Sequence, residues 1–289
     1  MPGPEVRDAP GPQDTPGQVC YVFAVGRDGG PLRAAVPGLT GPTGSAVRTV
    51  YGSGLGALVC SVPAGLYDEE GLKAQLEDMA ALEGMARAHH EVVAAAYRHT
   101  TVLPLRLATV CLDDERVAGM LSARKAEFDA LLQQLEGHLE WGVKIWADPR
   151  EAAAPPAPGP SGAGADAGSP GRAYLQQRRR QRSTHRDTYR AAGAVAERVT
   201  AVADGLATAK VAHRPQQGEL ASGPGENIAN DAYLVPDDRS EEFRVAVAGL
   251  ADDVPGVQIE LTGPWAPYSF ATPPSAPQGA GPPGGGHAS

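Results

Sequence analysis

The chain is poor in aromatic residues, in cysteine and in long apolar segments. Aromatic residues make up 5% of its 289 residues, so alanine and aliphatic side chains must supply most of any core. The three cysteines, Cys20, Cys60 and Cys111, are odd in number and form no Cys-x-x-Cys pair. This pattern favours buried free thiols over a disulfide framework or a zinc site. No apolar run approaches 18 residues, so we expect no membrane-spanning helix.

An excess of positive charge is also missing. The formal net charge is −9 and the pI is near 5.3. These values are typical of a soluble protein and unfavourable for general nucleic-acid binding. The first 17 residues contain neither a basic segment nor an apolar core, so we expect no signal peptide and predict a cytoplasmic location.

Glycine and proline are abundant, and they are concentrated in three places. The chain has 36 glycines and 27 prolines, and the excess over average usage lies in residues 1–18, 149–172 and 271–289. Such segments cannot bury enough apolar surface to offset chain entropy. The composition therefore predicts disordered tails at 1–18 and 271–289 and a flexible linker at 149–172. The remaining sequence would form a larger domain of residues 19–148 and a smaller one of residues 173–270.

In the larger domain, hydrophobic periodicity predicts five strands and two helices in the order β-ββ-α-β-α-β. A tight turn at Gly52-Ser53-Gly54 indicates a hairpin, and Asp113 or Asp114 can cap the second helix. The predicted strands cover residues 19–25, 47–51, 55–62, 102–110 and 139–146. The helical segments cover about 72–96, as one bent helix or two short ones because Gly84 weakens the middle, and 114–136.

The smaller domain begins with a long helix, about 173–211, which is Arg-rich in its first half and has an apolar stripe in its second half. A strand at 232–235 with a partner near 218–221, a helix capped by Ser240 and a last strand at 257–262 follow. The predicted fold class is α+β. Each domain would be a mixed or antiparallel sheet with helices packed on it, a variant of the ferredoxin-like arrangement.

No pattern of catalytic or ligand-binding residues is found. The neighbouring His89 and His90 point about 100° apart on a helix, and His99 does not complete a metal-binding spacing. The glycines of Gly52-Ser53-Gly54-Leu55-Gly56 precede a strand rather than a helix, which argues against a dinucleotide site. No Ser/His/Asp or Cys/His arrangement has supporting context. We therefore predict no enzyme activity, no cofactor, no metal and no small-molecule substrate.

The first half of the long helix carries a dense group of arginines. A solvated helix is the simplest interpretation, and the functional alternatives are an acidic protein partner, an RNA or a membrane face. Only Tyr174 and Tyr189 are available for base stacking, which favours the protein partner. A nucleic-acid-binding regulator is the alternative function. The arginines are Arg172, Arg178, Arg179, Arg180, Arg182, Arg186 and Arg190.

Seven sequence strings, taken in order, resemble the gas vesicle protein L/F family. They span residues 21–270, and LTGPWAPYSF together with VLPLR and EWGVK is the most specific combination. The chain departs from the family pattern at Leu107-Ala108, where the family usually has Phe-Gly, and at Ala266, where it usually has proline. The strings do not separate L from F. They are YVFAV (21–25), AHH (88–90), VLPLRLATV (102–110), LEWGVKIW (139–146), AYLQQRRRQR (173–182), NDAYLV (230–235) and LTGPWAPYSF (261–270).

The resemblance implies two α+β domains and a role in gas vesicle formation, with no catalytic residues. It implies contact with the small apolar shell protein and with other gas vesicle accessory proteins, and no partnership with nucleic acid or membrane. The chain would be a cytoplasmic assembly factor and a minor vesicle component. Its high content of Ala, Gly, Pro and Arg fits an actinobacterial source.

Two sets of residues follow from this interpretation. Pro104 suggests an accessible sheet edge, where unpaired backbone groups can accept a partner strand. The predicted partner-binding residues are Leu103, Leu105, Arg106 and Leu107. Large aromatic side chains near the strand ends are predicted to anchor the fold by burial. These predicted anchors are Trp141, Trp265, Tyr268 and Phe270.

Overall fold

Strand β1 (Gln18–Arg27) is the centre of the first sheet. Its residues 20–26 are all buried, which explains why this strand is almost continuously apolar rather than alternating. The structure is a computed structural model, and it describes residues 17–153, 170–216 and 223–272. The predicted tails 1–18 and 271–289 lie outside the described residues, apart from two residues of each, and so do residues 154–169 of the predicted linker.

The first sheet has the strand order β2-β3-β1-β4, with β5 also beside β1, and every pairing is antiparallel. Ser53 and Gly54 both have positive φ in the turn between β2 and β3, as a two-residue hairpin of the predicted kind requires. The elements are α1 (Gly30–Ala34), β2 (Arg48–Gly52), β3 (Leu55–Pro63), α2 (Ala64–Tyr67), α3 (Glu69–Glu77), α4 (Met79–Tyr97), β4 (Val102–Pro104), β5 (Val110–Cys111), α5 (Asp114–Ala123) and α6 (Lys125–Leu135).

Of the two predicted helix caps, the Asp113 cap is present, whereas Ser240 lies inside its helix, Ser240–Ala248, whose N-cap residue is Arg239 and has no side-chain cap hydrogen bond. The Asp113 side chain accepts a hydrogen bond from the Arg116 backbone N–H and caps α5, as predicted. The single helix predicted for 114–136 is two helices, because α5 ends at Ala123, Arg124 leaves the helical conformation, and α6 begins at Lys125. Two cysteines, Cys20 and Cys60, are buried and Cys111 is half-buried, and all three are free.

The second sheet has the order β7-β8-β6-β9 and is also antiparallel. Two helices, α8 and α9, pack against one face of it around Trp141, Val143 and Ile145, whose alternation along β6 directs them to the same side. The elements are β6 (His138–Ala147), α7 (Pro149–Ala152), α8 (Pro170–Ala203), β7 (Ala209–Ala212), β8 (Glu226–Pro236), α9 (Ser240–Ala248) and β9 (Val257–Trp265).

The position of β6 corrects the predicted domain division. The sequence assigns this strand to the larger domain, 19–148, but β6 pairs with β8 on one side and with β9 on the other. Among the described residues, one compact unit contains 17–92, Val102–Gln134 and 270–272, and the other contains Val93–Thr101 and those within Leu135–Ser269. The second unit therefore begins before β6. An alternating pattern identifies a strand but does not identify its neighbours.

A second correction concerns the long helix. It ends at Ala203 instead of near residue 211, because Asp204 and Gly205 break it and Leu206 is buried beyond the break. On the side of β8 away from β6, the strand that pairs with β8 is β7. The predicted partner near 218–221 lies outside the described residues. With these corrections, the predicted α+β class with two helix-covered sheets is confirmed.

We expect limited proteolysis to cut first within residues 149–172, because this Pro/Ala/Gly-rich tract contains little that can pack. The nicked chain should nevertheless elute as one species in gel filtration, since β6 in the first fragment pairs with β8 and β9 in the second. Denaturing electrophoresis of the same peak should show two fragments. Separation of the fragments without denaturant would contradict the assignment of β6.

Candidate functional site

The predicted partner-binding segment is two short strands joined by a turn, rather than one extended strand of residues 102–110. Between β4 and β5 the Thr109 backbone N–H donates to the Arg106 carbonyl over 3.1 Å, and the Thr109 hydroxyl donates to the same oxygen over 2.7 Å. Ala108 has a φ of +61°, in the left-handed region. Because β4 and β5 are both antiparallel to β1, they run in the same direction, and the turn between them interrupts the sheet edge without reversing the chain.

Strand β1 holds this turn at both ends. The Leu105 backbone N–H donates to the Phe23 carbonyl over 2.9 Å, and the Val22 N–H donates to the Thr109 carbonyl over 2.8 Å. We call residues 105–109 the edge turn. Because both of its ends are hydrogen-bonded to the central strand, the edge turn has a fixed backbone position in the first unit.

A buried pair of polar side chains supports the edge turn from the core. The Tyr21 hydroxyl accepts from the Ala108 N–H over 3.1 Å and is 3.0 Å from Nδ1 of His89. Since the hydroxyl proton is free to point at His89, Tyr21 donates to Nδ1 of a neutral imidazole. The Tyr21 ring also packs against Phe23, Tyr67 and the His89 ring.

The environment keeps both groups uncharged. His89 is 3% exposed, and burial lowers its pKa to about 4, although a hydrogen bond to the Leu105 backbone acts in the opposite direction. Burial likewise raises the pKa of Tyr21 far above its ordinary value. Sequence reasoning missed this pair, whose only signal is a tyrosine in an apolar strand and a histidine on the apolar stripe of a helix. A buried tyrosine usually has a hydrogen-bond partner.

The four predicted contact residues are not equivalent. Leu103 is 1% exposed and pairs with Val25, so its side chain belongs to the core and it is unsuitable as a contact. Leu105 and Leu107 are half-buried, and Arg106 is exposed. Among the described residues, Arg106 has no ion pair. A surface at this edge would thus consist of two leucines that flank an exposed guanidinium.

The four predicted aromatic anchors differ in how far their side chains are buried. Trp141 and Phe270 are each 5% exposed, and Nε1 of Trp141 donates to the Ser240 hydroxyl over 3.0 Å. Tyr268 is half-buried. Trp265 is 41% exposed, which corrects its prediction as a buried anchor. It stands at the end of edge strand β9, and the next two residues, Ala266 and Pro267, occupy the buried positions instead.

A Glu–Ser–His cluster in the second unit invites comparison with a catalytic triad. The Glu140 carboxylate accepts from the Ser269 backbone N–H over 2.7 Å and from its hydroxyl over 2.8 Å, and Nε2 of His213 is 3.0 Å from the same hydroxyl. In a triad the carboxylate orients the histidine, whereas here it binds the serine. The cluster therefore ties down the chain after β9, with the pKa of buried Glu140 raised mainly by desolvation.

The described residues contain neither a metal-binding cluster nor a membrane-spanning helix. Within residues 17–153, 170–216 and 223–272, no group of three or more His, Cys, Asp or Glu side chains is placed to hold a metal ion. In the same part of the chain, no helix is both long enough and apolar enough to cross a bilayer.

Comparison with known proteins decides the family. The family model described as gas vesicle synthesis protein GvpL/GvpF matches residues 19–272. The chain is 41% identical over 252 residues to gas vesicle protein L of Streptomyces sp. (strain CB03234), covering 87% of this chain and 92% of that protein. It is 27% identical over 263 residues to gas vesicle protein F of the same strain, covering 86% and 98%.

The chain belongs to the gas vesicle protein L/F family. A gas vesicle-related role follows from this membership, and the Streptomyces relatives agree with the predicted actinobacterial source. The fold is shared with the crystal structure of gas vesicle protein GvpF from Anabaena sp. PCC7120, with a TM-score of 0.61 at 20% identity over 88% of this chain and 96% of that one. GvpF from Microcystis aeruginosa gives a TM-score of 0.58 at 17% identity, over 88% and 99%.

The positive φ of Ala108 can be compared with the residue that the gas vesicle protein L/F family usually has at this position. By the resemblance described above, this residue stands where the family usually has glycine, which adopts a left-handed conformation at no steric cost, and its φ is +61°. The edge turn thus keeps its left-handed conformation in this chain despite the added Cβ. The hydrogen bond from the Ala108 N–H to Tyr21 helps to hold it there.

We expect Ala108→Gly to leave the free energy of unfolding unchanged or to raise it by up to about 1 kcal/mol. The left-handed conformation costs an alanine about 1–2 kcal/mol, and the greater chain entropy of glycine offsets part of that gain. The measurement is urea-induced unfolding. The matched control is Ala130→Gly on the exposed side of α6, which should lose about 1 kcal/mol. Equal losses in the two variants would contradict the turn geometry.

We expect His89 to make the protein sensitive to mild acid. Its folded-state pKa lies below the unfolded value of about 6.5, so between those two pKa values the unfolded state binds a proton that the folded state does not. The free energy of unfolding should therefore fall by roughly 2 kcal/mol more between pH 7 and pH 5 in the parent than in His89→Gln. The exposed His99→Gln is the control, and equal pH dependence in all three proteins would refute the prediction.

Proposed function

We propose that this protein is a gas vesicle assembly factor. It binds the small apolar shell subunit in the cytoplasm, keeps that subunit from non-specific self-association, supports nucleation of the vesicle, and stays as a minor vesicle component. Family membership over residues 19–272 is the observation that carries the proposal. The one triad-like cluster described above binds its serine to the carboxylate, which suits a structural role better than catalysis.

The edge turn is the surface we propose for the shell subunit. In an antiparallel pair, every second residue directs its backbone N–H and C=O groups to the neighbouring strand. The backbone groups of Leu103 and Leu105 therefore point to β1, whereas the backbone of Pro104 points to the open side of the sheet. Proline has no N–H to donate, and the turn ends the strand soon afterwards. Continuous strand pairing along residues 102–110 is thus unavailable, and contact must come from the side chains of Leu105, Arg106 and Leu107.

These three side chains suit an apolar partner. Two half-buried leucines offer apolar surface at little cost in entropy, because the backbone beneath them is already ordered by β1 and Tyr21. Arg106 between them can donate hydrogen bonds to a carboxylate or a chain carbonyl of the partner. Preorganisation of this kind allows a small surface to compete with the self-association of the shell subunit.

The test is co-purification of the tagged full-length chain with the gas vesicle shell protein. The double variant Leu105→Ser/Leu107→Ser should retain its fold and lose most of the bound shell protein, by roughly tenfold or more, because it removes the apolar contact. The matched control is Leu66→Ser/Leu76→Ser, which alters two leucines that are 47% and 45% exposed elsewhere in the first unit. Thermal unfolding checks that both variants fold.

Two outcomes would count against the proposal in different ways. Failure of the parent chain to retain shell protein would reject the assembly-factor function. Equal loss in the test and control variants would reject the edge turn as the surface. The rival function, a nucleic-acid-binding regulator, predicts instead that nuclease-sensitive material co-purifies through the exposed arginines of α8, without shell protein.

A further inference from the structure

A row of arginines follows the exposed half of α8. Arg178, Arg182, Arg186 and Arg190 succeed one another at intervals of four residues, so they form one slanted ridge on the helix surface. All four are exposed, with side-chain exposures of 70% for Arg186 and 74% for Arg190. Like charges at this spacing repel by about 0.2–0.5 kcal/mol per pair. We call these four residues the arginine row.

Acidic residues are scarce in this part of the helix. Residues 176–190 include six arginines and one acidic residue, Asp187, which lies 3.7 Å from Arg186 and from Arg190. The chain as a whole has the opposite sign, with a net charge of −9. The arginine row is therefore a local cationic surface on an acidic protein, and such a surface attracts anionic partners.

Packing does not explain why the helix extends so far. Residues 176–183 are exposed, and burial begins with Thr188 at 3% and continues at Ala192 and Val195. In most proteins helical stability comes from an apolar face that packs on a core, which this segment lacks. A polar helical segment that extends past the packed core and carries mutually repelling charges is typical of a surface that binds a partner.

Two cavities lie beside the arginine row. One cavity of about 450 Å³ is lined by residues at helical spacing on α8, and it shares His185 with a second cavity of about 460 Å³. The rings of His185 and Tyr189 are stacked, with centroids 4.5 Å apart. The first cavity is lined by Arg178, Gln181, Arg182 and His185, and the second by Ala147, Asp148, Pro149, Arg150, His185, Tyr189, Gly225 and Glu226.

We propose that the arginine row binds an acidic helix of a partner protein, one whose carboxylates recur every four residues. Four residues of α-helix rise about 6 Å, so the carboxylates of such a helix match the spacing of neighbouring guanidinium groups when the two helices cross at about −50°, the angle at which rows of this kind lie parallel. Arginine binds carboxylate through two parallel hydrogen bonds. One exposed pair contributes only about 0.2–1 kcal/mol, so recognition requires the repeated match along the row.

Charge and ring geometry favour an acidic protein over a nucleic acid. Asp148 and Glu226 line the second cavity and would repel a polyphosphate that passed from the first cavity into the second. The rings of His185 and Tyr189 cover one face of each other, and the Tyr189 hydroxyl donates to the Glu226 carboxylate, which would repel the phosphates of a nucleic acid stacked there. This surface belongs to the second unit, so the proposal does not depend on the edge turn or on shell-protein binding.

The probe is a fluorescently labelled, alanine-rich peptide of about 17 residues with glutamate at every fourth position. Its control has the same composition with the glutamates distributed around the helix, and circular dichroism checks that both are helical. Binding to the full-length chain is measured by fluorescence anisotropy at about 50 mM and about 300 mM salt.

The charge variant is Arg178→Gln/Arg182→Gln/Arg186→Gln. The matched charge control is Arg87→Gln/Arg116→Gln/Arg244→Gln, in which three exposed arginines of other helices are replaced.

The regularly spaced peptide should bind the parent roughly tenfold more tightly than the distributed one, and more weakly at higher salt. The charge variant should lose about tenfold in affinity, while the matched charge control stays within about twofold of the parent. Thermal unfolding verifies that both variants fold, as glutamine is a good helix former. Equal binding of the two peptides, equal effects of the two variants, or tighter binding of a single-stranded RNA of similar length would each overturn the proposal.

Discussion

Backbone pairing on both sides of β6 organises the second unit. Ten residues of this strand are in register with β8, and seven are in register with β9. The pairing places Trp141, Val143 and Ile145 together on the face that α8 and α9 cover, so the core of the unit depends on it. A one-residue slip would turn these side chains to the opposite face and expose them. The order of the strands and the docking of both helices therefore follow from the position of β6.

In the first unit, β1 has the organising position that β6 has in the second, and it contributes to both the core and the surface. Its buried side chains form the core, and its outer backbone groups hold both ends of the edge turn. Tyr21 joins these roles, since its ring packs in the core while its hydroxyl binds Ala108 of the turn and His89 of α4. The geometry of a surface turn is thus set by buried groups, and a neutral His89 is part of the support.

The edge turn and the arginine row differ in physical character. The edge turn presents apolar side chains on an ordered backbone, and its affinity for a partner would change little with salt. The arginine row presents charge on a helix without apolar cover, where each contact is weak and screened, so that spacing must supply the selectivity. A protein that meets a small apolar subunit and also an acidic partner would need surfaces of both kinds, and in this chain they belong to different units.

The sequence by itself determined those features that depend on neighbouring residues. The hairpin at Gly52-Ser53-Gly54, the Asp113 cap, the α+β class and the family pattern all arise from local conformational preference or from strings of adjacent residues. Only the tertiary structure decided which sheet receives β6, that Leu103 is buried while Trp265 is 41% exposed, and that residues 105–109 form a turn held by Tyr21. These outcomes depend on hydrogen bonds and packing between residues distant in the chain. Hydrophobic periodicity reports which face of an element is apolar, but not what covers that face.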